Sequence, residues 1–198
     1  MRKSTLFFAA LAMVFATMTG LMLQQVLRHE PISPTVQGAT EVGSQPTKPS
    51  EPVLEAASAV VWNTEKEEII WQQNAFERRP AASLTKLMTA MVAIDHGIPW
   101  EQAATINPDE YGVGGNLLLH TGEAVTMRDL FTASLLGSAN NATRAYVRTL
   151  GISEEEFVRR MNRKAITLGL EQTYFTDVTG LKATNVSTAY EIARIAEV

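Results

Sequence analysis

Hydrophobic residues that follow Pro80 recur at helical spacing in several separate segments of the chain. The first segment follows Pro80, which restricts the backbone ahead of a helix. Its apolar positions are Leu84, Leu87, Met88, Met91 and Val92. This spacing places them on one face and predicts an amphipathic helix, which Gly97 and Pro99 then end.

Helix starts further along the chain are marked by capping signals. Thr126 to Asp129 have the form of a capping box, in which both end side chains pair with the helix backbone. Three helices are predicted here, spanning Met127 to Leu136, Ala142 to Leu150, and Ser153 to just before Gly169. A last helix, capped by Ser187 or Thr188, starts at Tyr190 and is still amphipathic at the final residue.

Two runs of β-prone residues precede these helices. Ser58 to Trp62 and Glu68 to Trp71 are rich in β-branched and aromatic side chains, and the polar residues between them predict a hairpin turn. The segment from Ile98 to Leu119 has loop signals and is predicted to be irregular. A hairpin packed against several helices predicts an α+β fold.

The N-terminal part of the chain has a different pattern. Arg2 and Lys3 precede the uncharged run from Ser4 to Leu27, which is long enough to span a bilayer. The favoured prediction is an uncleaved anchor, single-pass in the cell membrane with its N-terminus inside. The alternative is a cleaved secretory signal, which would give a secreted or periplasmic protein. Either prediction places the folded domain outside the cytoplasm.

A polar segment separates this run from the folded region. Between His29 and Pro52 the chain is dominated by Pro, Ser, Thr, Gly and Gln, a composition typical of a disordered tether. The predicted organisation is therefore an anchor or signal at 1–28, a linker at 29–55 and a folded domain at 56–198.

Composition excludes several classes of function. The 198-residue chain has a net charge of -4 and no basic run, so nucleic acid is not a predicted partner. It has no cysteine, which excludes disulfides, thiolate catalysis and cysteine-based zinc sites. His29, His96 and His120 are too scattered to indicate a metal site.

Two pairs of polar residues offer catalytic chemistry. Ser83 and Lys86 share a face at the start of the helix after Pro80, where the helix dipole favours developing negative charge. A serine becomes a nucleophile when a base takes its proton, and a lysine can be that base if burial lowers its pKa. Ser138 and Asn140 lie in a predicted break between helices. The alternative interpretation is two sets of helix caps with a solvated lysine.

With both pairs placed, the chain resembles the low-molecular-weight, penicillin-binding serine-type D-alanyl-D-alanine carboxypeptidases (peptidase S11 type). The resemblance covers about Ala57 to Val198. It rests on ordered segments: Pro80-Ala-Ala-Ser83-Leu-Thr-Lys86, Leu119 to Leu130, Ser138-Ala-Asn140, Phe157 to Ala165, Thr173-Tyr-Phe175, Thr179-Gly-Leu181 and Ser187-Thr-Ala189. It implies a β-lactamase/transpeptidase-like fold, an antiparallel sheet packed with a helical cluster. The family's third motif, Lys-Thr/Ser-Gly, is absent, so the domain is expected to be incomplete at its C-terminus.

The resemblance also implies a mechanism. Ser83 would form an acyl-enzyme with a peptidoglycan stem peptide ending in D-Ala-D-Ala, and Lys86 would take the serine proton. Ser138 would relay a proton to the leaving amine, and Asn140 would bind and orient the substrate. No metal or organic cofactor is implied, and β-lactams are expected to inhibit covalently. The alternatives are a class A-like β-lactamase and a non-catalytic, membrane-tethered peptidoglycan-binding protein.

Overall fold

The structure, a computed structural model, describes residues 54–120 and 122–198. The strands are β1 Ala59–Asn63, β2 Glu68–Gln73, β3 Arg79–Pro80, β4 Ala103–Thr105, β5 Ala124–Thr126 and β6 Val186–Ser187. The α-helices are α1 Thr85–His96, α2 Met127–Leu136, α3 Asn140–Thr149, α4 Glu154–Thr167 and α5 Ala189–Glu197. Short 3₁₀ turns at Ala82–Leu84 and Pro108–Glu110 complete the regular structure of this part of the chain.

The strands of the described region pair into three small antiparallel sheets. β1 pairs with β2 as the predicted hairpin, with an irregularity between Val61 and Trp62. β3 pairs with β6, which joins the entry of α1 to a segment about a hundred residues later. β4 pairs with β5. Antiparallel sheets combined with a helical cluster confirm the predicted α+β class.

The core lies among helices α1 to α4. Its largest fully buried apolar side chains are Met88, Met127, Leu130, Tyr146, Phe157, Met161 and Phe175. Met88 and Val92 lie on the face of α1 that the apolar spacing predicted, whereas Leu84 of the same stripe precedes the helix and is 50% exposed. Burying a large apolar side chain stabilises the fold by ~1.5–3 kcal/mol. The core therefore fixes α1 and α3 relative to one another, and these are the helices that carry the candidate catalytic residues.

The predicted capping signals form as expected. Thr126 and Asp129 make a reciprocal capping box at the start of α2. The Ser153 hydroxyl accepts from the Glu156 backbone N–H at the start of α4. For the last helix the cap is Thr188, which resolves the choice that the sequence left open. Each such cap typically contributes ~1 kcal/mol to helix stability.

Two elements differ from the prediction. The segment predicted to be irregular contains β4, whose Ala103-Ala-Thr sequence has little strand propensity of its own and is held by pairing with β5. Helix α3 begins at Asn140, two residues earlier than predicted, so this asparagine is the first helical residue. Both differences arise from tertiary contacts that local sequence does not encode.

The predicted anchor and most of the predicted linker lie outside the described residues, so the domain boundaries stay a prediction. Within 54–120 and 122–198, no helix has the length and apolar character needed to cross a bilayer.

Candidate active site

The turn before α1 presents the candidate nucleophile. Ser83 lies in the 3₁₀ turn that runs directly into α1, and its side chain is exposed to solvent. Lys86, one turn later, is only 2% exposed. Ala82 has a φ of 47°, a left-handed conformation that non-glycine residues adopt at a cost. The backbone is therefore held in a strained turn immediately before the serine.

Lys86 is the centre of the site. Its Nζ lies 2.8 Å from Asn140 Oδ1 and 2.9 Å from the Thr179 carbonyl oxygen. It also lies 3.3 Å from the hydroxyl oxygens of both Ser83 and Ser138. The first two partners can only accept hydrogen bonds, whereas the two hydroxyls can donate as well as accept.

This arrangement suits a neutral amine. A neutral lysine has two N–H groups and one lone pair, so donation to Asn140 and Thr179 leaves the lone pair facing the two hydroxyls. Burial lowers the pKa of Lys86, and the opposing effect of the Asp177 negative charge only partly offsets it. The lysine can therefore accept a proton from one serine hydroxyl and return it through the other.

The start of α3 supplies the second pair of residues. Ser138 is half-buried with a φ of 51°, another left-handed non-glycine residue. Asn140 donates from its backbone N–H to the Gly115 carbonyl oxygen and from Nδ2 to the Val113 carbonyl oxygen. These bonds fix the amide so that its oxygen faces Lys86.

The loop from Asp177 to Lys182 completes the site. Its Thr179 carbonyl oxygen accepts from Lys86, and Gly180 packs directly against the strained turn. A Cβ on Gly180 would lie 1.8 Å from the Ala82 carbonyl oxygen, so only glycine fits. The sequence analysis counted Thr179-Gly-Leu181 among the segments of the family resemblance, but it did not predict that this loop contacts Lys86. The available signal was an Asp two residues before a Thr-Gly pair, a pattern typical of a side-chain-stabilised turn.

The structure thus brings together all four residues that the sequence singled out: Ser83, Lys86, Ser138 and Asn140. In the described part of the chain, no group of three or more His, Asp or Glu side chains has the arrangement of a metal site. The chemistry available at this cluster is proton transfer between a buried amine and two hydroxyls, one of them exposed at a helix start.

Comparison with known families decides what kind of protein this is. Residues 45–198 match the family model of peptidase S11, D-alanyl-D-alanine carboxypeptidase. The chain belongs to this family. The match covers the whole described region, including the four clustered residues and the loop at Asp177.

Individual relatives within the family support the fold. The carboxypeptidase DacF of Bacillus subtilis is 34% identical over 75% of this chain and 40% of its own length. The D-alanyl-D-alanine endopeptidase of Escherichia coli is 29% identical over 75% of this chain and 49% of its own. A penicillin-binding protein of Listeria monocytogenes, solved in its cefotaxime-bound form, is 29% identical with a TM-score of 0.65. The alignment covers 74% of this chain and 63% of that one.

These comparisons confirm the predicted family and the β-lactamase/transpeptidase-like fold. The chain spans about half the length of the relatives or less, between 40% and 49% for the two curated proteins. The comparisons thus establish the family and the fold of this part of the relatives, and the activity of the whole protein is a separate proposal.

Proposed function

We propose that the complete protein is a serine-type D-alanyl-D-alanine carboxypeptidase that acts on peptidoglycan stem peptides through an acyl-enzyme on Ser83. The observation that carries this proposal is the environment of Lys86. Its buried amine lies 3.3 Å from each of two serine hydroxyls, and its N–H groups are engaged elsewhere by acceptor-only oxygens. This is the geometry expected of a general base for a serine nucleophile.

Acylation follows from that geometry. The Ser83 hydroxyl gives its proton to the Lys86 lone pair while its oxygen attacks the carbonyl carbon of the penultimate D-Ala. The resulting oxyanion would be stabilised in part by the Ser83 backbone N–H, and loss of one such donor typically costs ~10²–10³-fold in rate. As the tetrahedral intermediate collapses, Lys86 passes its proton through the Ser138 hydroxyl to the leaving amine. The terminal D-Ala departs and an ester remains on Ser83.

Deacylation uses the same groups in reverse. Water attacks the ester carbonyl and gives its proton to the lysine, which is neutral again after the first step. The Ser83 oxygen leaves and recovers a proton from Lys86, which regenerates the serine hydroxyl and the neutral lysine and releases the shortened peptide. Asn140 Nδ2 has one hydrogen on the Val113 carbonyl and a second available for a substrate amide oxygen.

Endopeptidase action is a second candidate function. It has the same acyl step and differs only in the leaving group, which is a cross-linked peptide rather than free D-Ala. The similarity to the Escherichia coli D-alanyl-D-alanine endopeptidase favours this candidate. A class A-like β-lactamase finds less support. Such an enzyme uses a glutamate in deacylation, whereas Glu156 in the first turn of α4 accepts hydrogen bonds from Arg159, Arg160 and Arg163.

The remaining partners and the location belong to the same proposal. β-Lactams would acylate Ser83, an expectation supported by the similarity to the cefotaxime-bound Listeria protein.

The apolar run from Ser4 to Leu27 would hold the protein in the cell membrane, with the domain outside the cytoplasm where peptidoglycan lies. Protease treatment of intact spheroplasts would then remove the domain, whereas a protected domain would contradict this location.

The proposed function is tested with the complete gene product. It is incubated with a peptide ending in D-Ala-D-Ala, with a cross-linked muropeptide, and separately with a labelled penicillin. We expect free D-Ala from the first substrate and a stable penicillin adduct, which peptide mass spectrometry should place on the segment containing Ser83. An adduct elsewhere overturns the mechanism. Rapid release of hydrolysed penicillin indicates a β-lactamase, and cleavage of the cross-linked substrate alone indicates the endopeptidase.

A further inference from the structure

The carboxylate of Asp177 organises the loop beside Lys86. Its Oδ1 accepts from the backbone N–H groups of Thr179 and Gly180, both at 2.7 Å, and from the Thr179 hydroxyl at 2.9 Å. Its Oδ2 accepts from the Lys182 backbone N–H at 2.8 Å. Asp177 itself is 5% exposed. One buried side chain therefore closes the whole turn.

The turn that Asp177 closes contacts both Lys86 and the strained turn that precedes Ser83. The Thr179 carbonyl oxygen accepts from Lys86 Nζ at 2.9 Å. Gly180 lies against the Ala82 carbonyl so closely that no side chain fits between them. A shift of this loop would therefore move two groups together: the Thr179 carbonyl oxygen that accepts from Lys86, and Gly180, which packs against the strained turn before Ser83.

We propose that Asp177 is a positioning residue for the acylation step, which rests on the function proposed above. By fixing the turn, it keeps the Thr179 carbonyl on one N–H of Lys86. Together with the Asn140 bond, this directs the lysine lone pair at the serine hydroxyls. Asp177 does not touch the reacting atoms and acts only through the loop and through its charge.

The charge of Asp177 gives this role a measurable signature. Burial by itself raises the pKa of Asp177, but the hydrogen bonds from Lys182, Thr179 and Gly180 together outweigh it, so its pKa is lowered and it stays ionised. Among the described groups, Asp177 is the one whose charge acts on Lys86 and raises the lysine pKa against the effect of burial. The other groups facing Lys86 are the two serine hydroxyls, the Asn140 amide and the Thr179 carbonyl, which are uncharged.

The test is the pH dependence of penicillin acylation in the complete gene product carrying Asp177→Asn. Asparagine keeps the Oδ1 acceptor, but its NH₂ group cannot accept from the Lys182 N–H, and the negative charge is lost. We expect the acylation rate constant at pH 7 to fall by roughly 10–10²-fold, as small misplacements of catalytic groups do. The base must be neutral to react, so acylation rises with pH through the Lys86 pKa. Loss of the Asp177 charge lowers that pKa and should move the acid limb of the profile to lower pH.

Two further variants separate charge from geometry. Asp177→Glu keeps the charge with a longer side chain, so it should slow acylation while leaving the acid limb near the wild-type position. Asp109→Asn removes an exposed carboxylate in the Pro108–Glu110 turn and should change neither the rate nor the limb. If Asp177→Asn does not fold, the Asp177→Glu variant decides the question: slower acylation at wild-type thermal stability supports the positioning role, and an unchanged acylation rate overturns it.

The outcomes distinguish this inference from the proposed function. A wild-type protein that penicillin never acylates contradicts the proposed function itself. If the wild type is acylated and a folded Asp177 variant keeps the wild-type rate, the positioning role is wrong. A slower Asp177→Asn variant with an unmoved acid limb would reduce Asp177 to a purely structural residue and would also overturn the inference.

Discussion

Replacement of Ser83 by alanine is expected to abolish covalent labelling of the complete gene product by a fluorescent penicillin. The change removes the atom that serves as nucleophile in the proposed acylation step, and losing a catalytic serine costs on the order of 10⁶-fold in rate in a well-studied serine protease. Because the Ser83 side chain is exposed, its loss should leave thermal stability close to that of the wild type. Gel fluorescence over time measures the labelling, and a thermal melt measures the stability.

The comparison that makes this test decisive is Ser138→Ala. Both hydroxyl oxygens lie 3.3 Å from Lys86 Nζ, so distance alone does not say which serine is the nucleophile. The assignment to Ser83 rests on its exposure and its place at the start of α1. Ser138→Ala should slow labelling but leave an adduct on Ser83. Strong labelling of Ser83→Ala together with none of Ser138→Ala would reverse the two roles.

The second large effect is expected from Gly180→Ala. A methyl group at this position would meet the Ala82 carbonyl oxygen at 1.8 Å, so the loop or the turn before Ser83 must move. Misplacement of a nucleophile by about 1 Å can cost ~10²-fold in rate, and we expect acylation to fall by at least that factor. Overpacking of this kind also destabilises a fold by ~1–3 kcal/mol. Penicillin acylation kinetics and denaturant unfolding measure the two effects.

Gly97→Ala is the matched control for this prediction. Gly97 has a φ of 90° and Gly180 a φ of 87°, so an alanine meets a similarly unfavourable positive φ at either site. At Gly97, however, an added Cβ has no atom within 4 Å. The control should therefore show a moderate loss of stability and unchanged acylation. Equal behaviour of the two variants would mean that the contact with Ala82 does not position the serine.

Local sequence was sufficient to predict most of the helices and the first hairpin. The capping side chains of Thr126 and Ser153 act within one helical turn, so their chemistry can be recognised from spacing alone. The same holds for Ser83 and Lys86, because residues three apart on a helix share a face. The pairing of this helix start with Ser138 and Asn140 came from the family resemblance, since nothing in the spacing brings α1 and α3 together.

The parts that could not be predicted depend on contacts across the fold. The Thr179 partner of Lys86 is a backbone carbonyl, which every residue has, so residue type gives no sign of its role. The left-handed conformations of Ala82 and Ser138 run against the preference of both residue types and are imposed by surrounding contacts. The strand β4 is likewise formed by its partner rather than by its own residues.

The partners of Lys86 have a consequence for how the protein folds. The four bonds to its Nζ join residues separated along the chain by 3, 52, 54 and 93 positions. Contacts of such long sequence separation close late, because the entropy of large loops must be overcome before they form. An unfolded or partly folded chain therefore carries an ordinary serine hydroxyl and a solvated lysine. Under the proposed mechanism, Ser83 would become reactive only when the tertiary contacts of α1, α3 and the loop at Asp177 have formed.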